Sequence, residues 1–200
     1  MTCTIDYYFS PQSPWTYLGH DRFARMADKA GATVRLLPAD YGKVFSVSGG
    51  LPLGQRAAQR QAYRLVELAR FSQALGMPMN IKPRFFPVAG DDASRLIIAA
   101  DQQQGSAAGL ALAGAVFKAE WAQERNIADA EVLAQLLSEC GLPADLMEAS
   151  RSAAIQQRYE ANTQQAIDAA VFGAPSYVID GEIFWGQDRL DFVERRLATA

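Results

Sequence analysis

The chain has 200 residues, of which half are hydrophobic and a fifth are charged, as is typical of a globular protein with a sizeable core. Its formal net charge of −3 gives no electrostatic reason to expect nucleic acid or an anionic membrane as a partner. No apolar run reaches the roughly 18 residues of a membrane span, and Met1–Thr4 lacks the features of a secretory signal, so we expect a cytoplasmic protein.

The N-terminal segment predicts a strand followed at once by a helix. Ile5–Phe9 is rich in β-branched and aromatic residues and ends at a Ser-Pro pair, which is typical of a short buried strand. Helical spacing of apolar residues starts at about Pro14, which places Ser13 at the N-cap. The free N–H groups and the positive dipole end of such a helix favour an anion, including a thiolate. Ser13 is therefore either a site residue or simply a helix cap.

A second strand and a long helical region follow. Thr33–Pro38 is predicted to be a strand that completes a β-α-β unit. Ala39–Leu53 has several Gly, Ser and Pro residues and is predicted to be an irregular loop around Lys43. The apolar spacing is then helical, apart from an extended proline-rich connection over residues 78–88. The predicted helices span Gln55–Leu75, Ala93–Gln104, Ser106–Gln123, Asp129–Cys140, Pro143–Arg151 and Ser152–Val171.

The C-terminal part returns to β structure. Ser176–Ile179 and Glu182–Trp185 are predicted to form a hairpin, because Asp180-Gly181 suits the two positive-φ positions of a type I′ turn. A last helix, with Asp188 as its expected N-cap, runs to about Leu197.

These elements predict an α/β fold in which both ends of the chain contribute strands to one mixed sheet. We expect a discontinuous domain of residues 1–50 and 155–200, with an all-helical domain of residues 51–154 inserted between its two parts. Ligand pockets tend to lie between such lobes.

The cysteines and the single histidine limit the chemistry. Cys3 and Cys140 lie far apart and outside any C-x-x-C pattern, so free thiols are expected rather than a disulfide. Disulfide exchange at the helix-opening turn requires a cysteine there, and the turn offers Ser13 and Thr16 instead. Because His20 has no second histidine or cysteine near it in the sequence, no metal site is expected.

Two motifs carry a resemblance to a known family. They are S-P-W-T-Y-L at residues 13–18 and G-A-P-S-Y-V-I-D-G-E-I-F-W-G-Q-D-R-L at residues 173–190. With the order and length of the whole chain, they resemble the 2-hydroxychromene-2-carboxylate isomerase family, which groups with kappa-class glutathione transferases and DsbA-like thioredoxin-fold proteins. The resemblance implies a thioredoxin-like domain with a helical insertion, glutathione as the cofactor and a homodimer.

The resemblance also implies roles for residues of the glutathione site. In the family the turn serine hydrogen-bonds the sulfur of glutathione, and this role falls on Ser13. Pro175 matches the family's cis-proline, which would present the Ala174 backbone to the peptide part of glutathione. Gln187 and Asp188 match residues that hold the γ-glutamyl end, although a helix cap explains Asp188 equally well.

Further residues are candidates for the walls of the site. Lys43 is a candidate to bind glutathione, because it lies in a segment that approaches the ligand in the family, or else it is a solvated surface lysine. Trp15 and Trp185 are candidates to contact an aromatic substrate, with core packing as the alternative for Trp185. Tyr63 is expected to face the site.

The chain departs from the family pattern in three places, one of which is Ser10-Pro11-Gln12, where the family usually continues its acidic and apolar strand end. Gly50 and Ala89 stand where the family often has asparagines. A glutathione contact and part of the substrate-binding wall are therefore expected to differ.

The implied activity is that of a glutathione-dependent isomerase acting in aromatic degradation. Its substrate would be 2-hydroxychromene-2-carboxylate or a related conjugated aromatic 2-oxo acid, to which the glutathione thiolate adds reversibly. Two alternatives remain at this point: a kappa-like glutathione transferase that conjugates small electrophiles, and a redox-inactive thioredoxin-fold binding module.

Overall fold

The N-terminal β-α-β unit forms as predicted. In the computed structural model, which describes residues 3–199, strand β1 (Thr4–Phe9) leads into helix α1 (Pro14–Lys29) and then strand β2 (Thr33–Pro38). β1 and β2 are parallel, with Tyr7 opposite Leu36. The predicted start of α1 is confirmed, because Pro14 is its first residue and Ser13 is its N-cap.

The C-terminal hairpin completes the sheet. β3 (Ser176–Ile179) and β4 (Glu182–Trp185) are antiparallel, and the turn between them has positive φ at Asp180 and Gly181, 49° and 83°. β3 also pairs antiparallel with β1, which gives the strand order β2-β1-β3-β4. The prediction that both ends of the chain build one mixed sheet is confirmed.

Seven helices lie between β2 and β3, and one follows β4. They are α2 (Tyr41–Ser48), α3 (Ala58–Leu75), α4 (Asp91–Gln104), α5 (Ser106–Trp121), α6 (Ala130–Glu139), α7 (Leu146–Ala149), α8 (Ala153–Asp168) and α9 (Leu190–Leu197). No helix within residues 3–199 has both the length and the apolar character that crossing a membrane requires.

The predicted loop after β2 is wrong, because this segment contains helix α2. Its glycine and serine residues have low helix propensity, so the local sequence does not indicate a helix. Two features of the sequence favour it nevertheless: Asp40 caps it by accepting hydrogen bonds from Gly42 N (2.8 Å) and Lys43 N (3.4 Å). Tyr41 and Val44, three residues apart, bury one face.

Other boundaries also differ from the predictions, and α3 begins at Ala58 rather than at Gln55. α8 ends at Asp168, with Ala169 as its C-cap, three residues before the predicted end. The predicted helix from Pro143 is reduced to the single turn α7, Leu146–Ala149. Asp188 is not an N-cap, because it lies inside a 3-10 turn, Gln187–Arg189, that precedes α9.

Side chains alternate across the two faces of the sheet. Ile5, Tyr7 and Phe9 point toward the larger core, and Tyr8 points toward a smaller one that includes Val44 of α2. The larger core combines β1 and α1 with buried side chains of α4, α5 and α6. One core thus includes residues from both of the predicted domains, whose boundaries remain a prediction.

A close approach between α1 and the C-terminal turn depends on a glycine. A Cβ on Gly19 would lie 2.7 Å from Cβ of Gln187 and 3.1 Å from the hydroxyl oxygen of Tyr177. Glycine at this position therefore lets the Gln187–Arg189 turn sit directly on α1.

We expect Gly19→Ala to lower the free energy of unfolding by about 1–3 kcal/mol, although alanine is the better helix former. The added methyl group forces the turn away from α1. Chemical denaturation measures this, with Gly54→Ala as the control because its Cβ would meet nothing within 4 Å. Equal stability of Gly19→Ala and the wild type would contradict the close packing.

Candidate active site

Ser13 lies where the two ends of the chain meet. Its Oγ accepts a hydrogen bond from the backbone N–H of Thr16 at 3.2 Å and is 3.5 Å from the carbonyl oxygen of Ala174, to which it donates. The Ala174-Pro175 peptide bond is cis. The pairing of β1 with β3 brings these residues together, since Ser13 follows the end of β1 and Pro175 precedes β3.

The turn before α9 lies beside the same two segments. The backbone N–H of Gly186 donates to the carbonyl oxygen of Pro175 at 2.9 Å. Gln187 is buried, and its side chain faces α1. Asp188 is exposed, and its only ion pair within residues 3–199 is with the neighbouring Arg189, at 2.6 Å. The structure therefore places Ser13, the Ala174-Pro175 peptide and the Asp188 turn together.

Arg22 fixes this turn, a role that the sequence does not indicate. Its Nη2 donates to the backbone carbonyl of Gln187 and lies 3.4 Å from the Oε1 of the same residue. Arg22 lies nine positions after Ser13 in α1, and nothing in its local sequence distinguishes it from a surface arginine.

Trp15 and Trp185 have different surroundings. Trp15 is partly buried and packs edge-on against Phe71 of α3, with ring centroids 5.8 Å apart. Trp185 is 51% exposed and packs edge-on against Phe172, and its indole covers the Cα of Gly173. Core packing therefore does not explain Trp185, which lies exposed against Gly173, next to Ala174.

Lys43 and Tyr63 are not joined to the Ser13 turn by contacts among the described residues. Lys43 is exposed on α2, and Tyr63, 58% exposed, lies on α3. Their predicted roles require a ligand that extends to these helices.

The structure shows what surrounds Gly50 and Ala89, where the family often has asparagines. The ring of Phe45 lies against Gly50, so an asparagine at this position would displace that ring. Ala89 is exposed and precedes Gly90, whose Cβ would lie 3.7 Å from the Pro11 ring. The segment around Ala89 therefore faces the turn that carries Ser13.

A buried carboxyl group lies in the helical region near this segment. Glu120 of α5 is 1% exposed, and neither of its carboxyl oxygens has a hydrogen-bond partner within residues 3–199. Burial raises its pKa to about 8, against a smaller lowering by Arg64. In the sequence, the only sign of this buried carboxyl group is a single acidic residue at the end of an apolar helix.

His20 has a structural role. Its Nδ1 lies 3.2 Å from the Tyr7 hydroxyl and its Nε2 lies 3.0 Å from the carbonyl oxygen of Leu110, and burial lowers its pKa. A 710 Å³ pocket beside it is lined by α1, α5 and residues 76–78, and Ser13 is not among the lining residues.

In the described part of the chain, no three His, Cys, Asp or Glu residues are grouped closely enough to hold a metal ion. Cys3 and Cys140 are free thiols.

Comparisons with known proteins agree with this architecture. The family model described as a DSBA-like thioredoxin domain matches residues 4–198. The 2-hydroxychromene-2-carboxylate isomerase of Sphingobium xenophagum is 30% identical, over 98% of this chain and 99% of the relative. The enzyme of the same name from Pseudomonas putida is 32% identical, over 95% of this chain and 92% of the relative.

Solved structures give the same result. A structure of 2-hydroxychromene-2-carboxylate isomerase is similar with a TM-score of 0.81 at 27% identity, and covers 98% of this chain and 95% of that one. The cytosolic disulfide reductase DsbM from Pseudomonas aeruginosa has a TM-score of 0.70 at 21% identity, over 98% of this chain and 100% of its own. At this sequence identity, the similarity to DsbM concerns the fold alone.

We expect stability to fall with rising pH because of Glu120. Its folded-state pKa of about 8 lies above the unfolded value of 4.5, so only the folded state keeps the proton between these values. The free energy of unfolding then decreases by up to about 1.4 kcal/mol per pH unit from about pH 4.5 to pH 8. Glu120→Gln should remove this dependence, as measured by urea denaturation at several pH values.

Glu194→Gln, which changes an exposed carboxylate of α9, is the matched control and should keep the wild-type slope. A Glu120→Gln protein with that same slope would mean that Glu120 is ionised in the folded state.

Proposed function

The chain belongs to the 2-hydroxychromene-2-carboxylate isomerase family of the DsbA-like thioredoxin fold, and we propose that it is a glutathione-dependent isomerase. Its proposed substrate is 2-hydroxychromene-2-carboxylate or a related conjugated aromatic 2-oxo acid. The observation that carries the proposal is the position of the Ser13 hydroxyl, at the N-terminus of α1 and opposite Ala174.

The hydrogen bonds of Ser13 support a role in binding a thiolate. Its Oγ already accepts from the N–H of Thr16, and its own proton points to the Ala174 carbonyl over 3.5 Å. That distance is longer than a good O–H···O hydrogen bond, which is about 2.5–3.0 Å. The hydroxyl can therefore turn to a stronger acceptor, and a thiolate at a helix N-terminus is one.

Thiolate formation is the property that this site would change. A free thiol has a pKa of about 8.5, and only the thiolate is a good nucleophile. A donated hydrogen bond and the helix dipole both favour the charged form and so lower that pKa. When bound, glutathione supplies a thiolate that adds reversibly to a conjugated carbon of the substrate and is regenerated in each turnover.

The surrounding residues fit the rest of the tripeptide. The backbone of Ala174, beside cis-Pro175, is placed to pair with an extended peptide. Asp188 is exposed, and its ion pair with Arg189 is of the surface kind that contributes little. Its carboxylate is therefore free to bind the γ-glutamyl ammonium group. Gln187 is buried against Arg22, so we assign it to holding the turn in place.

One tryptophan follows Ser13 in sequence and another lies against Gly173, and both suit an aromatic substrate. Trp15 lies two residues after Ser13 and packs against Phe71, and Trp185 stands exposed beside Ala174. Lys43 and Tyr63, exposed on α2 and α3, would contact only a ligand large enough to reach these helices. Flat apolar surfaces of this kind bind a conjugated ring by burial and stacking.

We expect Ser13→Ala to raise the thiol pKa of bound glutathione by about one unit or more and to lower turnover about 10- to 100-fold. The lost cap costs only about 1 kcal/mol of stability. Thiolate absorbance in the ultraviolet, followed against pH with glutathione present, measures the first effect.

Ser10→Ala is the matched control, because Ser10 lies in the same turn and interacts with Ser13 through its backbone carbonyl. It should leave the thiol pKa unchanged. If Ser13→Ala retains full turnover, Ser13 is only a helix cap.

We expect Asp188→Asn to weaken glutathione binding about tenfold, because the ammonium group loses its charged partner. Isothermal titration calorimetry checks this, with Asp191→Asn as the control for the loss of one exposed carboxylate at the start of α9. Equal weakening by both variants would assign the effect to net charge rather than to contact.

A further inference from the structure

Arg64 of α3 lies against a pair of aromatic rings. Its guanidinium carbon lies 5.2 Å from the ring centroid of Phe86 and 5.8 Å from that of Trp121, whose rings are themselves 4.9 Å apart. Both contacts are within the range of cation–π attraction. The rings therefore orient a cationic side chain that is itself partly buried.

The charge of Arg64 is not neutralised within residues 3–199. The arginines that form ion pairs there are Arg35, Arg70, Arg95, Arg125, Arg189 and Arg196. Partial burial and the neighbouring Arg56 lower the pKa of Arg64 to about 10, with a smaller opposite effect of Glu120. The side chain thus remains cationic at neutral pH without an anionic partner, a state that costs free energy until an anion binds.

Glu120 is the nearest acidic candidate, and its surroundings keep it from being that partner. It is fully buried, and no oxygen of its carboxyl group is hydrogen-bonded or ion-paired in the described chain. Because burial raises its pKa to about 8, the group is protonated at neutral pH. The Arg64 charge is therefore left available to a ligand.

Two series of contacts connect Arg64 with the residues on either side of Ser13. Phe71 lies two helical turns after Arg64, on the same face of α3, and packs against Trp15. On the other side, Phe86 begins the segment that ends at Gly90, which lies against Pro11. Arg64 and the Ser13 turn are thus connected through these two packed segments.

We propose that Arg64 binds the carboxylate group of an aromatic substrate, with Phe86 and Trp121 holding its guanidinium group in place. The inference rests on the proposed function for the identity of the substrate, because an aromatic 2-oxo acid carries such a carboxylate. A guanidinium group suits this contact, since it can donate two parallel hydrogen bonds to one carboxylate. The ring of the ligand would then lie toward Phe86 and Trp15.

The experiment compares two small probes, trans-cinnamate and its neutral amide, by ligand-observed NMR titration of the full chain. Wild-type protein should bind cinnamate more tightly than the amide. Arg64→Gln should weaken cinnamate binding about tenfold or more and change amide binding less than about twofold. Arg64→Lys should have an intermediate effect, because lysine keeps the charge and loses the paired donors.

Arg60→Gln removes an exposed positive charge one turn earlier on α3 and is the matched control. It should leave cinnamate binding within about twofold of wild type. Three results would overturn the proposal: no preference of the wild type for cinnamate, equal weakening of both probes by Arg64→Gln, or equal effects of Arg60→Gln and Arg64→Gln.

Glutathione binding is titrated separately on the same proteins and should be unchanged by Arg64→Gln. This separates the two proposals. A protein that binds no glutathione but prefers cinnamate through Arg64 retains the carboxylate site and lacks the proposed cofactor.

Discussion

The antiparallel pairing of β1 with β3 is the interaction on which the candidate site depends. Tyr7 lies opposite Tyr177, and Tyr8 lies opposite Ser176. This register fixes where β1 ends and where β3 begins, so it also fixes the facing positions of Ser13 and Ala174. A shift of one residue would turn every side chain of the strand to the other face of the sheet, which both cores prevent.

Helix α1 then holds the remaining parts of the site together. Its N-terminus presents Ser13, Gly19 allows the C-terminal turn to approach, and Arg22 holds the Gln187 carbonyl. One helix thus supplies the Ser13 turn and both contacts that hold the C-terminal turn beside it. Rigid placement of this kind is what a site requires if it is to bind a ligand without first ordering a loop.

Local chemistry explains which parts could be predicted from the sequence. The cap at Ser13 and the hairpin at Asp180-Gly181 follow from residue preferences at fixed positions. Helix α2 was missed because glycine and serine have low helix propensity, and burial of Tyr41 and Val44 outweighs it. The surroundings of Glu120 and Arg64 depend on contacts between distant segments, which no local pattern encodes.

The distance in sequence between β1 and β3 has a consequence for biosynthesis. The N-terminal part of a chain leaves the ribosome first, so β1 lacks its β3 neighbour until Ser176–Ile179 has emerged. The helices between them depend on nearer contacts and can form earlier. During that interval the free edge of β1 is open to pairing with other chains. The face opposite Ser13 is thus completed only after helices α2–α8 have emerged.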